Sequence, residues 1–428
     1  MLESLYSQSP GLRAVIAASF APDGREKRMG ETMRSRGMRD MLPDEMERFR
    51  RIEQAFRDVC LGWGYREVRT PVVENLYLFT SAGTLSPQML DRVYSFLDWD
   101  GWSGERVVLR PDSTIPAARL FAEELAGNDG AKLFYVQNVF RFDPSDRSRE
   151  DWQCGVELLG DTFPVGDIEL ILMAREILGR LGVQAEIELS HPGIVRGLLE
   201  KAGLTPAEQI AVYDRLLSGD TAALDELGER LPGSPPPGPL LSTEGSGPEY
   251  LDNLRAVFTG VPEIEAALQE LEAVSRTIAD MRLDHRIAPL GVRNFEYYTG
   301  PVFNLVVGEA RLGGGGRYDS LAGLVGGRDV PASGFALEVD LISQRLAAAV
   351  TDEAPITIRC ESADVLGRAF ALAKALRDKN ASVRLVTNGA PGARDIVVSG
   401  AGFALASNGA PPREFTDIDQ VVAAVAGG

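Results

Sequence analysis

Apolar positions along the chain follow two periods, and their order outlines an α+β protein. Met46, Phe49, Ile52, Phe56 and Val59 recur every three to four residues, which predicts a helix with one apolar face. Pro43 and Asp44 suit its start, and Gly62 and Gly64 end it. Residues 65–73 read as a strand interrupted by Pro71, a residue that belongs at an edge or bulge. A short strand at 107–109 leads into Arg110-Pro111-Asp112-Ser113-Thr114 and then a helix over 115–125. Residues 133–136 and 138–142 read as one strand, and 154–159 as its antiparallel return across the polar turn 143–151. A helical period spans 168–181 and stops at Gly182; residues 185–189 alternate apolar and acidic, as a half-buried strand does.

The rest divides by composition. Residues 193–280 are mostly helical in pattern, broken by the Pro/Gly-rich loop 231–239. Strands return at 287–290 and 302–307, followed by a run of four glycines, Gly313 to Gly316. After a candidate linker at 351–355, the tail reads strand (356–360), helix (363–377), strand (382–387), strand (396–399) and helix (417–426), a small separate α/β unit. Residues 1–36 carry little pattern and read as a disordered extension; the short apolar stretch 15–21 lacks the basic flank and cleavage site of a signal peptide.

Bulk chemistry narrows the function classes. The chain has 428 residues and a net charge of −18, which disfavours nucleic acid, whose phosphates select basic surfaces, and suits solubility or a protein partner. No stretch approaches the ~18 apolar residues of a membrane helix. Three scattered cysteines and two histidines give neither a disulfide framework nor a metal site, and a reducing cytoplasm is expected.

Polar residues at strand ends stand out as candidates: Asp112, Thr114, Arg141, Gln153, Glu157, Arg293, Tyr297, Tyr298 and Tyr318. Gln153 and Glu157, four apart on a strand, point to one face. Taken singly these residues are ordinary. Glu157 could be an ion-paired strand residue and Arg293 a partner of Glu296. The glycine run alone reads as a tight turn between strands and fits neither phosphate-binding glycine pattern.

Their order along the chain changes this. Arg110 to Thr114 resembles the R-P-E-G-T stretch of histidyl-tRNA synthetases. Phe140-Arg141 through Gln153-Cys154-Gly155-Val156-Glu157 resembles their motif 2. Arg293 to Phe303 resembles R-G-L-D-Y-Y-x-x-x-V-F, and Gly315 to Asp319 resembles G-G-R-Y-D. The resemblance covers residues 37–345 and implies a class II synthetase-like antiparallel sheet flanked by helices, with a helical insertion at 193–280 and, over 356–428, a shortened anticodon-binding-like domain. It implies a pocket for histidine: Asp112, Thr114 and Gln153 at the ammonium, Glu157 and Tyr298 at the imidazole with Tyr318 beside them, and Arg293 at the carboxylate, with Tyr297 also among the histidine-binding residues. Those pairings fit the chemistry, because Arg forks onto carboxylates and a ring N–H needs a buried acceptor. Arg141 matches the arginine that meets the ATP α-phosphate.

Departures set the chain apart. Asp112 replaces a Glu, the motif 2 loop is short and carries Pro144, and Leu341 stands where motif 3 has an ATP-clamping arginine. Leucine cannot neutralise a polyphosphate. The pattern is similar to the synthetase-like regulatory subunits of ATP phosphoribosyltransferase. That resemblance implies a non-catalytic protein without a cofactor, a homodimer through residues 67–74, and a hetero-oligomer with a short-form catalytic subunit. Histidine would act as the feedback effector of the first step of its own biosynthesis, and tRNA would not be bound; a histidine–tRNA ligase is the competing reading.

Overall fold

A computed structural model describes residues 33–81, 92–99, 104–125, 127–142, 148–217, 220, 222–231, 241, 244–258, 260–291, 298–346, 355–387, 394–407 and 411–426. Contacts divide the chain into two compact units between Arg345 and Leu346. Four early helices of the first unit are α1 (Pro43–Gly62), α2 (Leu76–Ser81), α3 (Thr114–Glu124) and α4 (Val165–Arg180). On α1 the expected apolar face is the buried one: Phe49, Ile52, Phe56 and Val59. Phe56 meets Phe134 edge-on at 5.9 Å, and Phe49 meets Trp152 at 5.1 Å. Burying each such ring contributes about 1.5–3 kcal/mol.

The strands of this unit are β1 (Arg66–Glu67), β2 (Val73–Asn75), β3 (Ser95–Trp99), β4 (Gly104–Leu109), β5 (Ala131–Phe140), β6 (Glu150–Leu159), β7 (Glu186–Ser190), β8 (Gly245–Ser246), β9 (His285–Ile287), β10 (Val302–Val307), β11 (Ala310–Arg317) and β12 (Ala332–Glu338). Nine form one sheet in the order β1-β5-β6-β12-β11-β10-β7-β9-β8, and β2-β4-β3 form a small antiparallel sheet. The central pairs from β5 to β7 are all antiparallel, while β1–β5 and β7–β9 are parallel. Between β7 and β9 the chain is mostly helical: α5 (Pro192–Lys201), α6 (Pro206–Leu217), α7 (Ala222–Glu229), α8 (Glu249–Val257) and α9 (Pro262–Asp280). Two short helices, α10 (Leu321–Leu324) and α11 (Val339–Ser343), flank β12.

Register gives the sheet two unlike faces, because side chains alternate along each strand. Phe134, Val156, Phe335 and Phe303 share the face that packs on helices such as α4. The other face carries three cross-strand rows. One is Gln137–Gln153–Glu338; the next is Tyr135–Gly155–Ala336–Gly314–Asn304–Glu188–Arg286; the third is Leu133–Glu157–Gly334–Gly316–Val302–Ser190. Small residues at the middle of two rows make a floor between taller polar groups.

Three expectations need correction. Gly313 to Gly316 are not a turn but the body of β11. A Cβ on Gly315 would lie 1.9 Å from Gly334 O and 2.5 Å from Phe335 Cα, so the neighbouring strand passes too close for a side chain. Glycine carries no apolar signal, so this strand was invisible to hydropathy. Within residues 65–73 only β1 forms, and residues 68–72 carry no strand before β2 begins at Val73. Strand β9 starts at His285 and ends at Ile287, where the expected strand began. The loop 232–239, the linker 351–354 and residues 1–32 of the expected extension lie outside the described residues.

The second unit contains β13 (Ile356–Cys360), a short 3-10 turn at Ala363–Val365, α12 (Leu366–Arg377), β14 (Val383–Val386), β15 (Arg394–Val398), β16 (Phe403–Ser407), β17 (Arg413–Phe415) and α13 (Ile418–Ala426). Its sheet runs β14-β13-β15-β16-β17, parallel across the first three strands and antiparallel at the last two. The strands β16 and β17 were not expected; β16, Phe403-Ala404-Leu405-Ala406-Ser407, alternates large with small residues and gives a weak period-2 pattern.

Cys60, Cys154 and Cys360 are free and buried, and burial pushes each thiol up. A thiol reagent that attacks thiolate is therefore expected to react with the native protein at least tenfold more slowly than with the unfolded chain, read as absorbance against time.

Candidate functional site

Local sequence aims the polar side chains at the open face. Arg110 is buried and bonds backward, with Nε on Asn138 O at 2.8 Å and Nη1 on Thr70 O at 2.8 Å and Pro71 O at 3.0 Å. This fixes the turn that delivers Asp112 and Thr114 to the start of α3. Asp112 Oδ1 accepts the Ile115 amide at 3.0 Å, as a carboxylate at a helix start does.

Arg317-Tyr318-Asp319 works in the same way. Arg317 reaches behind the sheet to Asp167 at the start of α4, and its Nη1 donates to Asp319 at 3.0 Å. Asp319 Oδ1 accepts the Ala332 amide at 2.9 Å, and its own amide donates to Thr299 Oγ1 at 3.0 Å. The turn is held on both sides, leaving Tyr318 directed across Gly334 toward Glu157.

Glu157 is the centre of the site. It is 2% exposed, accepts Tyr135 Oη at 2.9 Å on Oε1, and accepts the Tyr318 hydroxyl on Oε2. Burial pushes its pKa up to about 8, against the opposing hydrogen bonds from Tyr318, Thr114 and Tyr135; Asp112 adds to the rise. Two glycines make room for this network. A Cβ on Gly155 would lie 2.2 Å from the Tyr135 ring, and one on Gly334 would lie 2.2 Å from Glu157 Oε2.

Tyr298 completes this half. Burial pushes it up to about 12, with Arg311 opposing and Asp112 and Glu157 contributing. The structure thus brings Asp112, Thr114, Glu157, Tyr298 and Tyr318 together.

Arg141 and Gln153 sit in a second, adjoining half. Arg141 Nε donates to Pro111 O at 2.8 Å, and Gln153 Nε2 donates to Glu338 Oε1 at 3.0 Å. Burial raises Asp112, Asp151 and Glu338, and the Arg141 charge works against each rise. Arg293 and Tyr297 lie outside the described residues. Leu341 is half-buried on α11, and its carbonyl accepts from Arg345 at 2.9 Å.

Sequence reasoning missed Tyr135, Asp151, Glu338 and Arg311. The first two were reachable, since a hairpin closing between Phe140 and Glu150 sets Tyr135 opposite Gly155 and puts Asp151 on the face of Gln153. Glu338 follows Gly334 and Ala336 at period 2. Arg311 had no such signal, because a register shift beside Leu305/Val306 decides which way it points.

The small apolar cavity lined by Leu170, Ile171, Leu189, Val274 and Phe303 belongs to the helix-packed side of the sheet, away from this chemistry. Among the described residues no group of three potential ligands could hold a metal ion, and no helix is long and apolar enough to cross a membrane.

An antiparallel sheet backed by helices, with acids and tyrosines across its open face, is the class II aminoacyl-tRNA synthetase-like fold. A family model described as histidyl-tRNA synthetase matches residues 37–342. A Dehalococcoides mccartyi protein named ATP phosphoribosyltransferase regulatory subunit is 45% identical over 359 residues, 82% of this chain and 87% of that one. A Methanocaldococcus jannaschii histidine–tRNA ligase is 32% identical over 325 residues, 73% of this chain and 75% of that one. A Bacillus halodurans crystal structure, described as an ATP phosphoribosyltransferase regulatory subunit/histidyl-tRNA synthetase, is 27% identical with a TM-score of 0.71, covering 84% of this chain and 93% of the other. The chain belongs to the histidyl-tRNA synthetase family, in its branch of ATP phosphoribosyltransferase regulatory subunits.

Proposed function

We propose that this chain is a non-catalytic histidine sensor. It assembles with a short-form catalytic ATP phosphoribosyltransferase subunit and transmits feedback inhibition of the first step of histidine biosynthesis. Residues 37–345 form the histidine-binding body, 193–280 its helical insertion, and 356–428 a unit resembling a shortened anticodon-binding domain. The observation that carries the reading is the Glu157 carboxyl. It is buried among the Tyr135, Tyr318 and Thr114 hydroxyls, where it suits an imidazole N–H better than a solvent-exposed cation.

In the bound state the ring would donate to Glu157 beside Tyr298. The ammonium would face Asp112 and Thr114, with Gln153 next to them. Arg293 would take the carboxylate, with Tyr297 and Arg141 at the rim. The nucleotide side of the site is weaker: Leu341 stands where the resemblance places the motif 3 arginine, and Arg141, whose Nε donates to Pro111 O, already faces the charges of Asp112, Asp151 and Glu338. Exposed Val73 and Phe96 on one face of the β2-β4-β3 sheet suit a homodimer within the larger complex. A cytoplasmic setting fits free buried thiols.

Calorimetric titration of the full chain with histidine and with ATP tests this, together with an assay of ATP–pyrophosphate exchange. Histidine binding at micromolar concentration without exchange is the expected result. Exchange at rates typical of synthetases, about 1 per second or faster, would overturn it.

A further inference from the structure

The open face carries a cation that no family motif quoted above contains. Arg311 lies at the start of β11, and its Nε donates to Asn304 Oδ1 at 2.6 Å. Asn304 is itself 4% exposed and fixed from the other side, its Nδ2 donating to Gly291 O at 2.9 Å. Asn304 belongs to the row Tyr135–Gly155–Ala336–Gly314–Asn304. Arg311 therefore lies over the floor instead of along the strand: a Cβ on Gly314 would sit 2.9 Å from its Nη2. At the far end of the same floor, Tyr135 lies over Gly155 in the same fashion. A guanidinium and a phenol thus bracket a strip of three small residues, with Glu157 in the adjacent row beside Tyr135. The charge of Arg311 reaches both Tyr298 and Glu338, which puts it between the two halves of the site.

Resting on the histidine-sensor reading, we propose that Arg311 is a second carboxylate-binding residue for the bound amino acid, sharing that group with Arg293. It acts across the floor from Glu157 and adds to the preference for an α-carboxylate over the uncharged analogue. A rigidly held guanidinium binds a carboxylate through two parallel hydrogen bonds, and Asn304 supplies the rigidity. Glycine at 155 and 314 leaves room for Tyr135 and Arg311 to lie over the floor, and the ligand's backbone atoms would sit between the ring acceptor and the cation.

The test compares histidine with histidinol, in which the carboxylate is replaced by a hydroxymethyl group, by calorimetry on the full chain. Wild-type protein is expected to bind histidine at least tenfold more tightly than histidinol. In Arg311→Met that ratio should fall by about threefold or more, Arg293 holding the remainder, while histidinol affinity stays the same, and Arg311→Lys should lose less of it. The unchanged histidinol affinity reports that the site is still folded. If Arg311→Met keeps the wild-type ratio, or loses both ligands equally, the role given to Arg311 is wrong. If the wild type discriminates and Glu157→Gln weakens both ligands alike, the sensor reading stands whatever Arg311 does. A wild type that binds neither ligand overturns both.

Discussion

Glu157→Gln is expected to weaken histidine binding by about 10- to 100-fold. Losing a hydrogen bond and leaving a buried donor unpaired costs roughly 1–3 kcal/mol, and each 1.4 kcal/mol is tenfold in affinity. The carboxyl has two oxygens, and each accepts a tyrosine hydroxyl, Tyr135 on one side and Tyr318 on the other. An amide keeps the volume but presents an NH2 to one of these donors, so the site loses an acceptor and gains a conflict. Calorimetry with histidine reads the effect, and an affinity within about threefold of wild type would refute the placing of the ring at Glu157.

The same residue predicts a pH dependence of the ligand-free protein. Its folded pKa, raised to about 8 by burial, lies above the ordinary carboxylate value. In between, the folded state holds a proton that the unfolded state has released, so stability falls as pH rises. The contribution is fully present below the unfolded value near 4.5 and is lost by the time pH passes about 8. Thermal unfolding of wild type between these limits should show this decline, and Glu157→Gln, which cannot titrate, should flatten it. Equal slopes in the two proteins would remove Glu157 as the source.

The second large effect is expected from Gly315→Ala, a single methyl group at the centre of the sheet. The new Cβ would meet Gly334 O at 1.9 Å and Phe335 Cα at 2.5 Å, both backbone atoms of the adjoining strand. Neither can rotate away, so β11 and β12 must separate where Tyr318 and Glu338 are positioned. Overpacking ordinarily costs about 1–3 kcal/mol, and a backbone clash in a central strand belongs at or above the upper end. Denaturant unfolding should show a loss of about 3 kcal/mol or more, or yield no soluble protein. Gly179→Ala is the control: it lies on α4 with nothing within 4 Å of the added methyl group, and it should be neutral or stabilising by about 0.5–1 kcal/mol. Equal effects from the two substitutions would show that the strand approach is not what limits the site.

The sequence was most informative where a period lasts over several turns. The apolar face of α1, the helix α4 and the hairpin β5–β6 were all legible, because burial of one face imposes 3.6- or 2-residue spacing on the chain. Glu157, Asp112, Thr114, Tyr298 and Tyr318 were legible for another reason: four motifs occur in one order, though each alone is weak. Their convergence was not legible. Gln153 and Glu157 share a face by spacing, yet Gln153 belongs to the row of Glu338 and Glu157 to the row of Gly334.

What the sequence determined by itself, then, is the long periodic elements, the family of the first unit and a leucine at 341 where the resemblance places an arginine. Those are properties of local pattern and residue identity. Tertiary structure alone decided that four consecutive glycines run through a central strand and that Arg311 turns onto the floor beside Asn304. Each of these depends on which residue of a distant strand lies alongside, and on the shift of register in β10–β11. Cross-strand register is set by the closing of long loops and by how closely two backbones approach, and neither leaves a period in the chain for a reader to find.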